Sequence, residues 1–144
     1  MKADVIQANV PKSSALDILG DKWTLVILRD LLFEGKSTFT EFKNSPEKIA
    51  SNILTSRLKL LDAEGFVIKT GSADNKVKYK YSPTDKTIDL LPFFIALINW
   101  AEEHEEDILA DPASFAKQKF SDLGSIAAYA SYLKRRRDIE LGIN

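Results

Sequence analysis

A mainly α-helical chain with one small β-hairpin is the fold class that the sequence predicts. Three observations predict it. Apolar residues recur at helical spacing through most of the chain. Period-two alternation is confined to one stretch, Phe66 to Tyr81. Glycine or proline punctuates most of the junctions.

The elements follow in order. The start, to about Pro11, has no clear period. Ser13 to Leu19 reads as a short helix closed by Gly20. Asp21 then caps a second helix, DKWTLVILRDLLFEG, in which Trp23, Val26, Ile27 and Leu31 follow helical spacing with Leu28 and Leu32 alongside. A helix apolar over so much of its surface is expected at the centre of the fold. Thr38 and Glu41 form a capping-box pattern opening a short third helix with Phe39 and Phe42, which Ser45-Pro46 breaks. Ser51 is the expected cap of a fourth helix, SNILTSRLKLLDAEG, ending at Gly65.

The pattern then changes. Phe66, Val67 and Ile68, and after them Val77, Tyr79 and Tyr81, have strand character. The residues Gly71-Ser72-Ala73-Asp74-Asn75 between them supply turn chemistry. Thr84 begins another helical region that Pro92 should kink or restart. Asp111-Pro112 starts a helix holding Phe115 and Phe120, and a last helix runs from roughly Ser125 to Arg137. Helices followed by a helix-turn-helix and a two-stranded wing make a winged helix-turn-helix with extra C-terminal helices. The expected division is residues 1–110 for that domain with its dimerisation helices and 111–144 for a helical extension.

Composition narrows the function. The 144 residues contain no cysteine and one histidine, which excludes thiolate zinc sites, cysteine nucleophiles and histidine-rich metal sites. The N-terminal MKADVIQANVPKSS lacks the apolar core of a secretory signal, and Leu90 to Ala101 is too short to span a bilayer. A cytoplasmic protein without a membrane partner is expected. The net charge of −1 hides an asymmetry: residues 1–87 carry 14 Lys+Arg against 11 Asp+Glu, and residues 88–144 carry 6 against 10. From Lys36 to Ser82 there are nine basic residues and five acids. A local basic surplus is the footprint of a polyanion partner.

On the fourth helix, at roughly 100° per residue, Leu54, Leu58 and Leu61 share the core side. Asn52, Ser56, Lys59 and Ala63 share the opposite side, with Thr55 and Arg57 on its flanks. A small, polar, singly cationic face suits entry into the major groove, where Asn pairs with adenine and Lys reaches guanine or phosphate. The plain alternative is a solvated amphipathic helix. Ser51, at the start of this helix, stands where free backbone N–H groups meet phosphate. The hairpin lysines Lys76, Lys78 and Lys80 are expected to grip phosphates, although lysines also blunt an edge strand. Lys36 and Thr38 are weaker phosphate candidates. The candidate DNA-binding set is thus Lys36, Thr38, Ser51, Asn52, Thr55, Ser56, Arg57, Lys59, Lys76, Lys78 and Lys80, and the expected partner is double-stranded DNA.

The runs VPKSSALDILGDKWTLVILRDLLFEGKSTFTEFKNS, KIASNILTSRLKLLDAEGFV and VKYKYSPTDKTIDLLP resemble the HxlR-type regulators, bacterial winged-helix proteins related to the MarR type. The likeness covers about residues 10 to 104. It implies a homodimer that binds an inverted-repeat operator and controls nearby genes, with repression the expected sense. It places the reading helix over Ser51 to Glu64 and the wing over Phe66 to Tyr81. Val10 stands where many relatives have cysteine, so thiol sensing does not carry over. Thr87 replaces the family's usual glycine.

Phe93, Phe94, Leu97, Ile98, Trp100 and Ala101 form a broad apolar face, the expected dimer seam. A small-molecule effector pocket between that seam and Trp23 is an open reading, ordinary core the simpler one. His104 among Glu103, Glu105 and Glu106 reads as solvated rather than as a metal ligand. Lys134-Arg135-Arg136-Arg137 reads as cations at a helix C-terminus, opposing its dipole. No cofactor motif, P-loop or nucleophile elbow is present, so an enzyme is not expected. A winged-helix adaptor that binds protein instead of DNA is the alternative function. A bare, non-cationic face around Asn52 and Lys59 would favour it.

Overall fold

The computed structural model describes residues 13–71, 79–104 and 123–143. Helix α1 (Ser13–Leu19) stops at Gly20. The Gly20 N–H bonds the Leu16 carbonyl at 2.7 Å, and a Cβ at Gly20 would lie 2.6 Å from that oxygen, so glycine is required there. Asp21 caps α2 (Lys22–Phe33), accepting from the Thr24 N–H and hydroxyl, each at 2.9 Å. As expected, α2 is the central helix: Thr24, Val26, Ile27, Leu28 and Asp30 to Phe33 are all buried.

Helix α3 (Phe39–Lys43) carries the complete Thr38/Glu41 capping box. Helix α4 (Ser51–Ala63) follows a tight turn in which Lys48 adopts φ 56°. One expectation fails here. Ala50, not Ser51, is the N-cap, and no side chain caps the helix. The buried Ile49 fixes the chain one residue before Ala50, and the Ala50 carbonyl already accepts from the Leu54 N–H. At the other end Gly65 takes φ 76° and Phe66 donates back to the Leu61 carbonyl at 2.8 Å.

Strands β1 (Val67–Thr70) and β2 (Lys80–Pro83) pair antiparallel, with Val67 opposite Pro83 and Lys69 opposite Tyr81. The Tyr81 N–H also bonds the Ser37 carbonyl at 2.8 Å, tying the hairpin to the segment before α3. Helix α5 (Asp85–Ile88) precedes α6 (Leu91–His104), so Pro92 restarts the helix, sitting in its first turn where an N–H is dispensable. Thr87 is fully buried, and its hydroxyl donates to the Phe66 carbonyl at 2.6 Å, a bond that glycine could not make.

Helix α7 (Leu123–Leu141) is longer than the sequence suggested. The run Lys134 to Arg137 therefore lies before the last turn, which holds no basic residue, and the dipole reading is corrected. Arg137 instead donates to Asp85 at 2.6 Å and to the Pro83 carbonyl at 3.2 Å. Leu133 is buried, the Tyr129 ring stacks on Phe33, and the Tyr129 hydroxyl donates to the Leu32 carbonyl. The expected helix with Phe115 and Phe120, the hairpin turn with Lys76 and Lys78, and the 110/111 boundary lie outside the described residues.

One core gathers Ile27, Leu28, Leu32, Phe42, Ile49, Leu54, Leu61, Ile88 and Leu91 from α2 through α6. Beside it runs a charge network. Arg29 donates to both Glu47 oxygens at 2.6 and 2.9 Å and to Asp30, and Lys36 donates to Asp30 at 3.1 Å. Glu47 stands in the turn before α4, so this network pins that turn to the central helix. The Arg29 hydrogen bonds hold the Glu47 carboxyl below its ordinary range.

Candidate nucleic-acid interface

Helix α4 is pressed into the fold by Leu54, Leu58 and Leu61, all buried. Its other side is open: Ser51, Asn52, Thr55, Ser56, Lys59, Asp62 and Ala63 are exposed. The expected outward face is thus the observed one. With no side chain capping α4, its first-turn N–H groups have no intrahelical or cap acceptor and point along the helix axis.

Arg57 has a different place. Its guanidinium grips the Asp21 carboxylate through Nε at 2.8 Å and Nη2 at 3.1 Å. The cap of α2 is therefore also the tether of α4. That hydrogen bond to Arg57, helped by bonds from Thr24, lowers the Asp21 pKa from 3.8 to about 2. A depressed carboxylate contributes stability that is complete above its unfolded pKa and is lost as pH falls through the folded value. Thermal melts should therefore decline between about pH 4 and pH 2, and Asp21→Asn should flatten that decline. An identical acid profile in the variant would show that the tether adds nothing.

Lys36 and Thr38 are also engaged, Lys36 with the buried Asp30 and Thr38 in its capping box. Lys80 is exposed at the start of β2, opposite Thr70. Lys76 and Lys78 lie outside the described residues. The sequence reading passed over Lys69, which is exposed opposite Tyr81 and lies 4.1 Å from the centre of the Tyr79 ring. Strand alternation could have found it, since Lys69 shares a hairpin face with Tyr79 and Tyr81. Between α4 and the hairpin a cleft of about 110 Å³ opens, lined by Phe39, Thr55, Leu58, Lys59, Asp62, Lys69 and Tyr81.

The apolar face of α6 splits in two. Phe94 and Ala101 are buried and Ile98 packs partly against the core, whereas Phe93, Leu97 and Trp100 are 43%, 46% and 50% exposed. These three recur at i, i+4 and i+7, so they form one stripe facing outward. Trp23 packs against the core, which favours ordinary packing over a pocket there. His104 is exposed 3.9 Å from Glu103, and among the described residues no group of metal-ligating side chains gathers. Among them, too, no helix is long and apolar enough to cross a membrane.

Comparison with known proteins adds a second line. The profile of the HxlR-like helix-turn-helix family matches residues 18–108. YdeP of Bacillus subtilis strain 168, an uncharacterised HTH-type transcriptional regulator, is 31% identical over 98 residues, 68% of this chain and 76% of YdeP. YvaP of the same strain, described in the same words, is 34% identical over 89 residues, 62% of this chain and 82% of YvaP. Among solved structures, PA1607 superposes with a TM-score of 0.58 at 34% identity, covering 73% of this chain and 70% of that one. Diamide-treated YodB from B. subtilis superposes at 0.51 and 28% identity, covering 66% and 94%.

Proposed function

The chain belongs to the HxlR-like helix-turn-helix family, and on that premise we propose that it is a cytoplasmic, homodimeric repressor that reads an inverted-repeat operator in double-stranded DNA. The family and the relatives named above are transcriptional regulators, not enzymes. One observation carries the sequence-specific part. Asn52, Ser56 and Lys59 form an exposed, small, polar face directly opposite three buried leucines. A rigidly backed helix with short outward side chains can approach base edges closely. The uncapped start of α4 supports a phosphate contact at the same end.

Within this proposal each residue has a role. Asn52 reads bases, Lys59 reaches guanine or phosphate, Ser51, Thr55 and Ser56 bond base or phosphate, and Lys80 with the other hairpin lysines holds backbone. Arg57, Lys36 and Thr38 act by positioning, since each has a protein partner. Phe93, Leu97 and Trp100 meet the second copy, and Phe94, Ile98 and Ala101 support them from within. Residues 1–110 form the binding and dimerising unit. Residues 111–144 add α7, which braces α2 and α5.

Gel shifts on the upstream region of its own gene test the reading. Asn52→Ala should weaken binding to that fragment about 10- to 100-fold and binding to random duplex far less. Lys80→Ala should weaken both about equally. Equal loss on both duplexes for Asn52→Ala removes its reading role. Failure of any fragment to be retained at low salt would favour a protein-binding adaptor.

A further inference from the structure

The cleft between α4 and the hairpin flanks the outward face of α4 and shares Lys59 and Thr55 with it, whereas Asp62, Lys69 and Tyr81 have no part in base reading. Its α4 wall is the stripe Thr55, Leu58, Lys59 and Asp62, and its far wall is the cross-strand pair Lys69 and Tyr81. Phe39, Leu58 and Tyr81 supply apolar lining. Two cations, two hydroxyls and one carboxylate supply the polar lining, and among the described residues neither Lys59 nor Lys69 is paired with an acid. At about 110 Å³ the space holds several waters, at roughly 30 Å³ each. That is room for one phosphate group.

Groove geometry says what would pass over it. If α4 lies in the major groove and the hairpin follows the next minor groove, the sugar–phosphate strand separating those grooves crosses the seam between α4 and the hairpin. The cleft opens in that seam.

We propose that this cleft is a slot for a backbone phosphodiester of the bound duplex, with Lys59 and Lys69 and the hydroxyls of Thr55 and Tyr81 as donors and the Asp62 carboxylate as a built-in brake on affinity. The proposal rests on the DNA-binding reading above. Its chemistry is coherent. Apolar walls displace water, so each lysine–phosphate contact is less screened than on an open surface. A tyrosine phenol is a neutral donor at physiological pH in any case, and burial, with the Asp62 charge next, pushes the Tyr81 pKa further up. Asp62 opposes the anion and caps non-specific binding, which spares the regulator from being held on random sequence.

Fluorescence anisotropy with a short random-sequence duplex tests the slot, because a backbone contact needs no operator. Titrations run between about 50 and 200 mM KCl. Lys69→Met should weaken binding about fivefold to tenfold and reduce the salt slope by about one. Tyr81→Phe should weaken it about threefold with the slope unchanged. Asp62→Asn should strengthen it about fivefold at low salt, the gain shrinking as salt rises. Lys69 and Asp62 are exposed, so unaltered melting curves will show the fold intact. Wild-type binding with no change in either Lys69→Met or Asp62→Asn overturns the slot and leaves the α4 reading standing. Binding of inorganic phosphate that is lost in Lys69→Met, together with wild-type duplex affinity and salt slope in that variant, overturns it too, making the cleft a free-anion site. Absence of wild-type binding at low salt removes both readings.

Discussion

Replacing Asp30 with alanine is expected to destabilise the protein by about 3 kcal/mol, the largest single-residue loss outside the apolar core. Asp30 is 1% exposed and accepts from Arg29 at 2.7 and 3.0 Å and from Lys36 at 3.1 Å. Removing the carboxylate leaves the half-buried Lys36 ammonium without its acid and Arg29 with Glu47 alone. The cost is therefore an uncompensated charge and not just a lost contact. Asp30→Asn keeps the volume and one acceptor, and it should cost about half as much. Urea denaturation reads both as a drop in midpoint at constant slope. A loss below about 1 kcal/mol for Asp30→Ala would mean that solvent relaxes around the network and that it holds nothing. The effect should reach DNA binding as well. The same cluster fixes Glu47 in the turn before α4, so a loosened network should let α4 tilt and, on the proposed reading, lower operator affinity.

This network illustrates what sequence patterns carry and what they do not. Local signals were legible. The apolar density of α2, the Thr38/Glu41 box, the stop at Gly65 and the leucine stripe of α4 each depend on residues within a turn or two of one another. Periodicity and capping chemistry report such relations directly. The outward face of α4 followed from the same periodicity, which is why Asn52, Ser56 and Lys59 appear where they were expected. Pairings across the fold were not legible. Arg57 read as one more groove-facing cation because its partner Asp21 lies 36 positions away. The role of Arg137 depends on Asp85, 52 positions away, and that of Tyr129 on Leu32, 97 away. No period encodes these distances. The apolar face of α6 was legible only in part. Six apolar residues announced a broad face, but helix geometry alone could not say which part a neighbouring helix already covers.

That split of α6 leads to the second large effect. On the proposed homodimeric reading, Leu97→Glu should convert the protein to a monomer and weaken binding to an inverted repeat by about 100- to 10,000-fold. Leu97 stands 46% exposed between Phe93 and Trp100, so within one chain it buries little. In the proposed dimer each protomer carries one α4, and two half-sites would be engaged together only while the stripe joins two copies. Breaking the seam turns the second contact from an intramolecular event into an independent one, and the lost factor is the effective concentration that the dimer supplied. The inner residue Phe94 provides the contrast. It is 3% exposed and sits against Phe33 with ring centroids 6.2 Å apart, so Phe94→Ala should cost about 3 kcal/mol of stability instead of acting on assembly alone. Sedimentation of Leu97→Glu beside its melting curve separates the two. A smaller particle with an unchanged melt and weak operator binding fits an outward seam. A dimer with full affinity moves the interface elsewhere, and the exposed stripe formed by Phe93, Leu97 and Trp100 would then need another occupant.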